Sequence, residues 1–206
     1  SKMTEVLLER EHTVFVGGKW RRGRGSESLV VLDPSTSSVV ARLQPGGPDD
    51  VEKAAQAAEA AFDGWKRLPG AERAGYLRGF ALGLHDRRDY LVRVQMHNNG
   101  KPRTEAEIDV DDAIATFEYY ASLADGIDDG QNSRIDHQGG AHFGLVRHEP
   151  VGPIGMIVPW NFPLVTSAWK IAPALAAGCT AVLKTSEMTP LNELVYGDIA
   201  AEIGLP

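Results

Sequence analysis

The stretch from Leu145 to Ile203 constrains the fold more than any other part of the sequence. It reads as strand, turn, strand ("LVRHEPVG", then "PIGMIVPW"), a helix from about Pro163 to Ala177, a strand "CTAVLK", and a helix near Leu191–Ile203. Strands that alternate with helices of this length predict an α/β fold with a parallel sheet and a right-handed crossover. The sequence stops at "AAEIGLP", where Gly204 and Pro206 read as a helix stop with another strand expected. A two-stranded parallel unit leaves an apolar sheet edge unpaired. The expectation is therefore an incomplete Rossmann-like parallel sheet with flanking helices.

Upstream the period changes twice. Residues 13–44 read as β-hairpins, with β-branched runs in "TVFVGGKW" and "LVVLDPSTSSVVARLQ" and turn chemistry at Asp33-Pro34-Ser35. Helical patterns follow. "PDDVEKAAQAAEAAFDGWKRL" places Val51, Ala54, Ala55, Ala58, Phe62 and Trp65 along one apolar stripe. Ala71 to His85 repeats the pattern with Tyr76, Leu77, Phe80, Ala81 and Leu84, and a short third helix over Leu91–Met96 is stopped by "HNNGKP". Residues 104–124 predict a long amphipathic helix whose opening Thr104-x-x-Glu107 resembles a capping box. "DGIDDGQNSRIDHQGGAHFG" is polar and glycine-rich, as an exposed connection or hairpin tip would be.

Composition excludes several functions. The formal net charge is -7, and Lys and Arg are scattered, where a nucleic-acid binder would show a basic face. No apolar run approaches the ~20 residues of a membrane helix. One cysteine rules out an internal disulfide framework, and no secretory pattern opens the chain, so a cytoplasmic protein is expected. Ser1-Lys2 before Met3 reads as an expression remnant.

Cys179 is the tempting nucleophile, but it opens an apolar strand with no base nearby, so core packing is expected. The histidines lack zinc-site spacing; His142 and His148 could face each other across a hairpin, as a solvated pair. Asp109, Asp111 and Asp112 read as a solvated helix face, and no metal site is expected. "VPWNFP" is more informative. Ligands of open α/β sheets bind outside the carboxyl ends of strands. Asn161 therefore sits where its amide could donate to an oxyanion, or where it could cap the following helix. The next strand ends in Lys184-Thr185-Ser186-Glu187, where a Glu can accept ribose hydroxyls and a Lys can reach ribose or phosphate oxygens. A surface ion pair is the alternative. The G-x-G-x-x-G and Walker fingerprints are absent.

At these residues the sequence resembles the aldehyde dehydrogenase superfamily. Pro159-Trp160-Asn161-Phe162-Pro163 is similar to the family's Pro-Trp-Asn turn, and "AWKIAPALAAGCTAVLKTSE" resembles the segment leading to its Lys-Pro-Ser-Glu cofactor motif. "FVGGKW", "DPSTSSVVARL", "NNGKP", "EYYASLAD" and "RHEPVGPIGMIVPW" match in the same order, so the resemblance runs from Thr13 to the end. "FEYYASLADGID" and "AAGC" look like the betaine-aldehyde and aminoaldehyde branch. The resemblance implies an NAD-dependent oxidation of an aldehyde to its acid. It implies that Val158, Pro159 and Trp160 line the nicotinamide-ribose side, that Asn161 is the oxyanion donor and that Lys170 supports the active site. Lys184, Thr185, Ser186 and Glu187 correspond to the adenosine-ribose motif, with Thr185 in place of the usual proline. Phe162 and Trp169 correspond to two aromatics that help to box a quaternary ammonium.

The resemblance also implies an organisation. Residues 1–130 begin the cofactor-binding domain, 131–150 form a subunit-bridging hairpin, and 151–206 are the first β-α-β-α of the Rossmann-like sheet. The family's catalytic cysteine and general-base glutamate lie beyond residue 206. The 206 residues are thus expected to be an N-terminal portion, truncated and inactive alone, whose partners are an aldehyde, the missing C-terminal portion or a partner chain, and further copies in a homo-oligomer. The alternative is a catalytically silent fragment that acts as an oligomerisation or partner-binding module.

Overall fold

The computed structural model describes residues 10–129, 131–140 and 142–206. The Ser1-Lys2 remnant lies outside them. The chain folds as α/β, in the order β1 (Val14–Val16), β2 (Lys19–Arg21), β3 (Leu29–Leu32), β4 (Val39–Leu43), α1 (Pro48–Trp65), α2 (Gly70–Asp86), α3 (Arg88–Asn99), α4 (Arg103–Asp125), β5 (Ser133–Asp136), β6 (Phe143–Val146), β7 (Pro153–Ile157), α5 (Pro163–Ala177), β8 (Thr180–Lys184) and α6 (Leu194–Glu202).

The strands form two-stranded sheets. β1–β2, β3–β4 and β5–β6 are antiparallel hairpins, and β7–β8 is the parallel pair. The first hairpin turns through Gly17 and Gly18, both at positive φ (59° and 74°), which suits the two-residue turn that matches strand twist. In the parallel pair Pro153 stands opposite Thr180 and Ile157 opposite Lys184, so both strands end at the same level. α5 is the crossover between them. It ends at Gly178, whose left-handed backbone (φ 92°) releases the chain into β8. α1 and α5 both pack on the pair, and Thr180 Oγ1 donates to the Ala58 carbonyl of α1 at 2.7 Å.

The core lies among the helices. α4 buries Ala106, Val110, Ala113, Phe117, Ala121 and Ala124 on one face, against α2 on one side and α5 on another. Phe117 stacks on Phe80 of α2 with centroids 5.0 Å apart, and Leu77, Leu84 and Ile199 complete the contact. Small residues on α4 let the helices approach closely. A Cβ on Gly70 would meet the Ala124 carbonyl oxygen at 2.1 Å.

Several expectations are corrected. The buried stripe of α1 runs through Asp50, Ala58 and Trp65, whereas Val51 and Ala55 face solvent. Asp50 is buried because its carboxylate accepts the amides of Gly47 (3.0 Å) and Arg24 (2.7 Å). α4 starts after Pro102 without a side-chain cap; Glu107 pairs with Arg103 at 2.8 Å instead of reaching back to Thr104. The polar stretch after residue 125 is exposed, as expected, and carries β5 of the β5–β6 hairpin. His142 and His148 lie towards the same strand's two ends: the His142 carbonyl accepts the His137 amide (3.3 Å) and the His148 amide donates to Gln131 (3.0 Å). Asp111 is exposed and paired with Arg88 at 2.6 Å, but Asp109 is buried, so the three aspartates do not share a solvated face. No described helix is long and apolar enough to cross a membrane.

Candidate functional site

Two loops leave the carboxyl ends of β7 and β8 side by side. The Val158 amide donates to the Lys184 carbonyl at 3.3 Å, which extends the parallel ladder one residue beyond β7. Val158 turns its side chain into the core; Pro159, Trp160, Asn161 and Phe162 then face outward, with Trp160 55% exposed. Pro163 opens α5 as its first residue, where a missing N–H costs nothing. Asn161 does not cap this helix. Phe162 occupies the capping position, and no side chain caps the helix N-terminus. The Asn161 amide is thereby left at the surface of the turn.

On the neighbouring loop Lys184 and Glu187 are exposed and paired, and Lys184 holds the Glu187 carboxyl below its usual range. Between them Thr185 is half-buried and Ser186 buried. The Ser186 hydroxyl accepts the Met188 amide at 3.3 Å, and its carbonyl accepts that of Thr189 at 3.3 Å, which closes the loop into a turn. The two loops touch where Thr189 Oγ1 donates to the Trp160 carbonyl at 3.4 Å.

A polar layer lies directly beneath, half-buried at Asn99 and Lys101 and buried at Gln95, Asn98, Asp109 and Asn192. The amide of Asn99 donates to the carbonyls of Trp160 (2.8 Å) and Asn161 (3.3 Å), and the Asn98 side chain binds the Met188 carbonyl and the Leu191 amide. Gln95, fully buried, joins Asn192 (2.6 Å) to the carboxylate of Asp109. Lys101 reaches the same carboxylate at 3.3 Å, with its ammonium 3.8 Å from the centroid of Phe162. Burial raises the Asp109 carboxyl, although Lys101 opposes this, and burial lowers the Lys101 ammonium. Burial also pushes the Glu193 carboxyl well above its usual range. The hydrogen bonding agrees: Ser167 has one hydroxyl proton for the Pro163 carbonyl (2.8 Å) and Glu193 Oε1 (3.0 Å), and a protonated Glu193 can donate to Ser167 itself.

Trp169 and Lys170 are exposed on α5. Trp169 lines an open groove of about 380 Å³ with Asp112, Ala115, Thr116, Tyr119 and Tyr120 of α4. Phe162 is not among the lining residues. The structure therefore brings Val158–Asn161 together with Lys184–Glu187. Cys179, 3% exposed, sits in the core ahead of β8, as its sequence context predicts. Among the described residues no three His, Cys, Asp or Glu side chains are grouped to hold a metal ion.

Asn99, Lys101, Tyr119 and Tyr120 are not singled out from sequence, and Asp112 is read there only as part of a solvated helix face. A partial signal existed for Asp112 and the tyrosines, whose i, i+7 and i+8 spacing on a helix puts them on one face. Nothing in "HNNGKP" beyond its breaker composition marks Asn99.

A family model described as the aldehyde dehydrogenase family matches residues 20–206. Betaine aldehyde dehydrogenase 1 of Oryza sativa subsp. japonica and aminoaldehyde dehydrogenase 2 of Zea mays are each 44% identical over 198 residues, covering 94% of this chain and 39% of theirs. The chain thus spans about two-fifths of the length of the curated relatives it matches. The crystal structure of Staphylococcus aureus betaine aldehyde dehydrogenase in complex with NAD+ superposes with a TM-score of 0.91 at 32% identity, over 100% of this chain and 41% of that one.

Proposed function

Because the chain belongs to the aldehyde dehydrogenase family, we propose that it supplies the cofactor cradle and the oxyanion donor of an NAD-dependent oxidation of an aldehyde to its acid. The observation that carries this reading is the junction of the two loops, joined by the Val158–Lys184 hydrogen bond at the carboxyl ends of parallel strands. The residues present fit the cofactor. Glu187 offers a carboxylate to ribose hydroxyls, Lys184 offers an ammonium to ribose or phosphate oxygens, and both are exposed on the same rim. The Glu187 charge opposes a 2′-phosphate, which favours NAD over NADP. NAD, when bound, accepts the pair of electrons that leaves the substrate carbon.

The protein's own groups do the rest. Val158, Pro159 and Trp160 shape the nicotinamide-ribose side through a stiff backbone turn. The Asn161 amide donates to the oxygen that becomes negative as the aldehyde carbon is attacked, and a fixed donor is worth several kcal/mol there. Lys170, nine residues along, supports the site electrostatically. The nucleophile is not Cys179, whose sulfur is buried in the core. The groove of Asp112, Tyr119, Tyr120 and Trp169 joins one carboxylate to three aromatics, a lining suited to an aldehyde with a cationic tail. Two relatives carry betaine and amino aldehydes in their names. Calorimetric titration of NAD and NADP tests the reading: NAD binds the chain, Glu187→Gln weakens NAD, and NADP binds less well than NAD. Equal affinity of the wild type and Glu187→Gln for NAD sinks it.

A second reading rests on the β5–β6 hairpin. It exposes Ile135, Phe143 and Leu145, each more than half accessible. An exposed apolar hairpin of this kind suits a bridge between subunits of a homo-oligomer. The reading of 131–150 as a separate bridging element, between residues 1–130 and 151–206, belongs to it.

A further inference from the structure

The last turn of α3 addresses both loops of the proposed site. Successive residues of a helix point about 100° apart, so two neighbours can serve two different partners. Asn98, buried, faces the loop after β8: its Nδ2 donates to the Met188 carbonyl at 3.2 Å and its Oδ1 accepts the Leu191 amide at 3.0 Å. Asn99 faces the turn after β7, with Nδ2 donating to the Trp160 and Asn161 carbonyls. A primary amide can donate and accept from separate atoms, as Asn98 does, and can present two N–H groups to two carbonyls, as Asn99 does.

The end of α3 is itself immobilised. Gly100 follows at once in the left-handed region (φ 81°), where a Cβ would meet Pro34 Cγ at 2.7 Å, so the helix stops there. One turn earlier, Gln95 is bound to Asn192 and Asp109. A fixed helix end that grips two carbonyls of one turn holds the peptide plane between Trp160 and Asn161. That plane sets the direction in which the Asn161 side chain leaves the backbone.

We infer that Asn99 and Asn98 are positioning residues, Asn99 for the oxyanion-donor turn and Asn98 for the ribose-binding loop. The inference rests on the proposed function for its consequence, and on the hydrogen bonds for its mechanism. It divides the labour: loss of the Asn99 amide disturbs the nicotinamide side alone, and loss of the Asn98 amide disturbs the adenosine side.

The test uses Asn99→Asp and Asn98→Asp, which keep shape but replace an N–H donor by an acceptor facing carbonyls. Two measurements are made on the whole chain: backbone amide shifts and exchange by NMR, and calorimetric titration with NAD and with AMP. Asn99→Asp is expected to change shifts and speed exchange at residues 160–162, to weaken NAD about tenfold, and to leave AMP within about twofold. Asn98→Asp is expected to change residues 186–191 and to weaken both ligands. Asn99→Ala is read in the same way should Asn99→Asp not fold. Unchanged signals at 160–162 in Asn99→Asp, equal losses of NAD and AMP in Asn99→Asp, or unchanged signals at 186–191 in Asn98→Asp overturn the inference, since a merely structural role at Asn99 lowers both ligands alike. If the wild type binds neither ligand, the cofactor reading fails, and the NMR arm alone decides the clamp: changes confined to each residue's own loop sustain it, and diffuse or absent changes overturn it.

Discussion

The exposed rim of the site and the layer directly under it are built from opposite chemistry. On the rim Trp160, Asn161, Lys184 and Glu187 face solvent, and the one ion pair among them is screened. A few ångströms inward, Gln95, Asn98, Asp109, Asn192, Ser167 and Glu193 are almost wholly buried, and each is tied to another element. Polar groups at the rim cost little to keep free for a ligand. Polar groups in the inner layer are each held in place by the cost of leaving them unpaired. The difference teaches how a loop-borne site acquires a fixed geometry: the reactive groups are left exposed, and the buried amides beneath them hold the backbone that carries them.

The largest expected effect comes from breaking the inner layer at its charge pair. Lys101→Met leaves the Asp109 carboxylate buried without its cation and should destabilise by about 3–5 kcal/mol at neutral pH in chemical denaturation. The Asp109 pKa is raised in the folded state, so the variant is most stable below the unfolded carboxyl pKa and loses stability as pH rises through the folded value. A loss that does not shrink at low pH would show that the charge is not the cause. The opposite change sharpens the contrast. Glu193 carries a strongly raised pKa, so its contribution is present at low pH and lost as pH rises through its folded value. Glu193→Gln keeps a donor for Ser167 and removes that ionisation. It should raise stability on the alkaline side by about 1–3 kcal/mol and change it little near pH 4.

Cys179→Ser places a hydroxyl in the core. It should cost about 1–2 kcal/mol in thermal unfolding while leaving NAD affinity unchanged, which separates a packing cysteine from a functional one. The rim should respond least in stability. Lys184→Ala should stay within about 0.5 kcal/mol of the wild type in unfolding, yet weaken NAD roughly tenfold in titration. A Lys184→Ala variant that costs as much stability as Lys101→Met, or a Lys101→Met variant that costs as little as Lys184→Ala, would collapse the distinction between the two layers.

The rim was legible because its residues are contiguous. Pro159-Trp160-Asn161-Phe162-Pro163 and Lys184-Thr185-Ser186-Glu187 each sit within one loop, and the strand–helix–strand pattern around them places both at strand ends. The core face of α2 could be read from period alone. The inner layer could not. Asp109 shares its spacing with Asp111 and Asp112 and reads as one of three solvated carboxylates until α3 and α5 close over it. The stripe of α1 holds at Ala58 and Trp65 and fails at Val51 and Ala55 for a related reason: its alanines suit either face, and Asp50, fixed by two backbone amides, turns the first turn inward at that residue.

Local order in the sequence determined the element types, the parallel pair with its crossover, the burial of Cys179, and which residues stand at the strand ends. Each of these follows from spacing along the chain or from the chemistry of a single loop. Tertiary structure alone decided that Asn99 grips the turn after β7, that Lys101 lies over Phe162, that Trp169 joins a groove with α4, and that burial raises the Glu193 carboxyl. Those outcomes depend on which surfaces meet and how much water is excluded between them. Groups far apart in sequence, such as Asn99 and Trp160, acquire a partner only when packing brings them together.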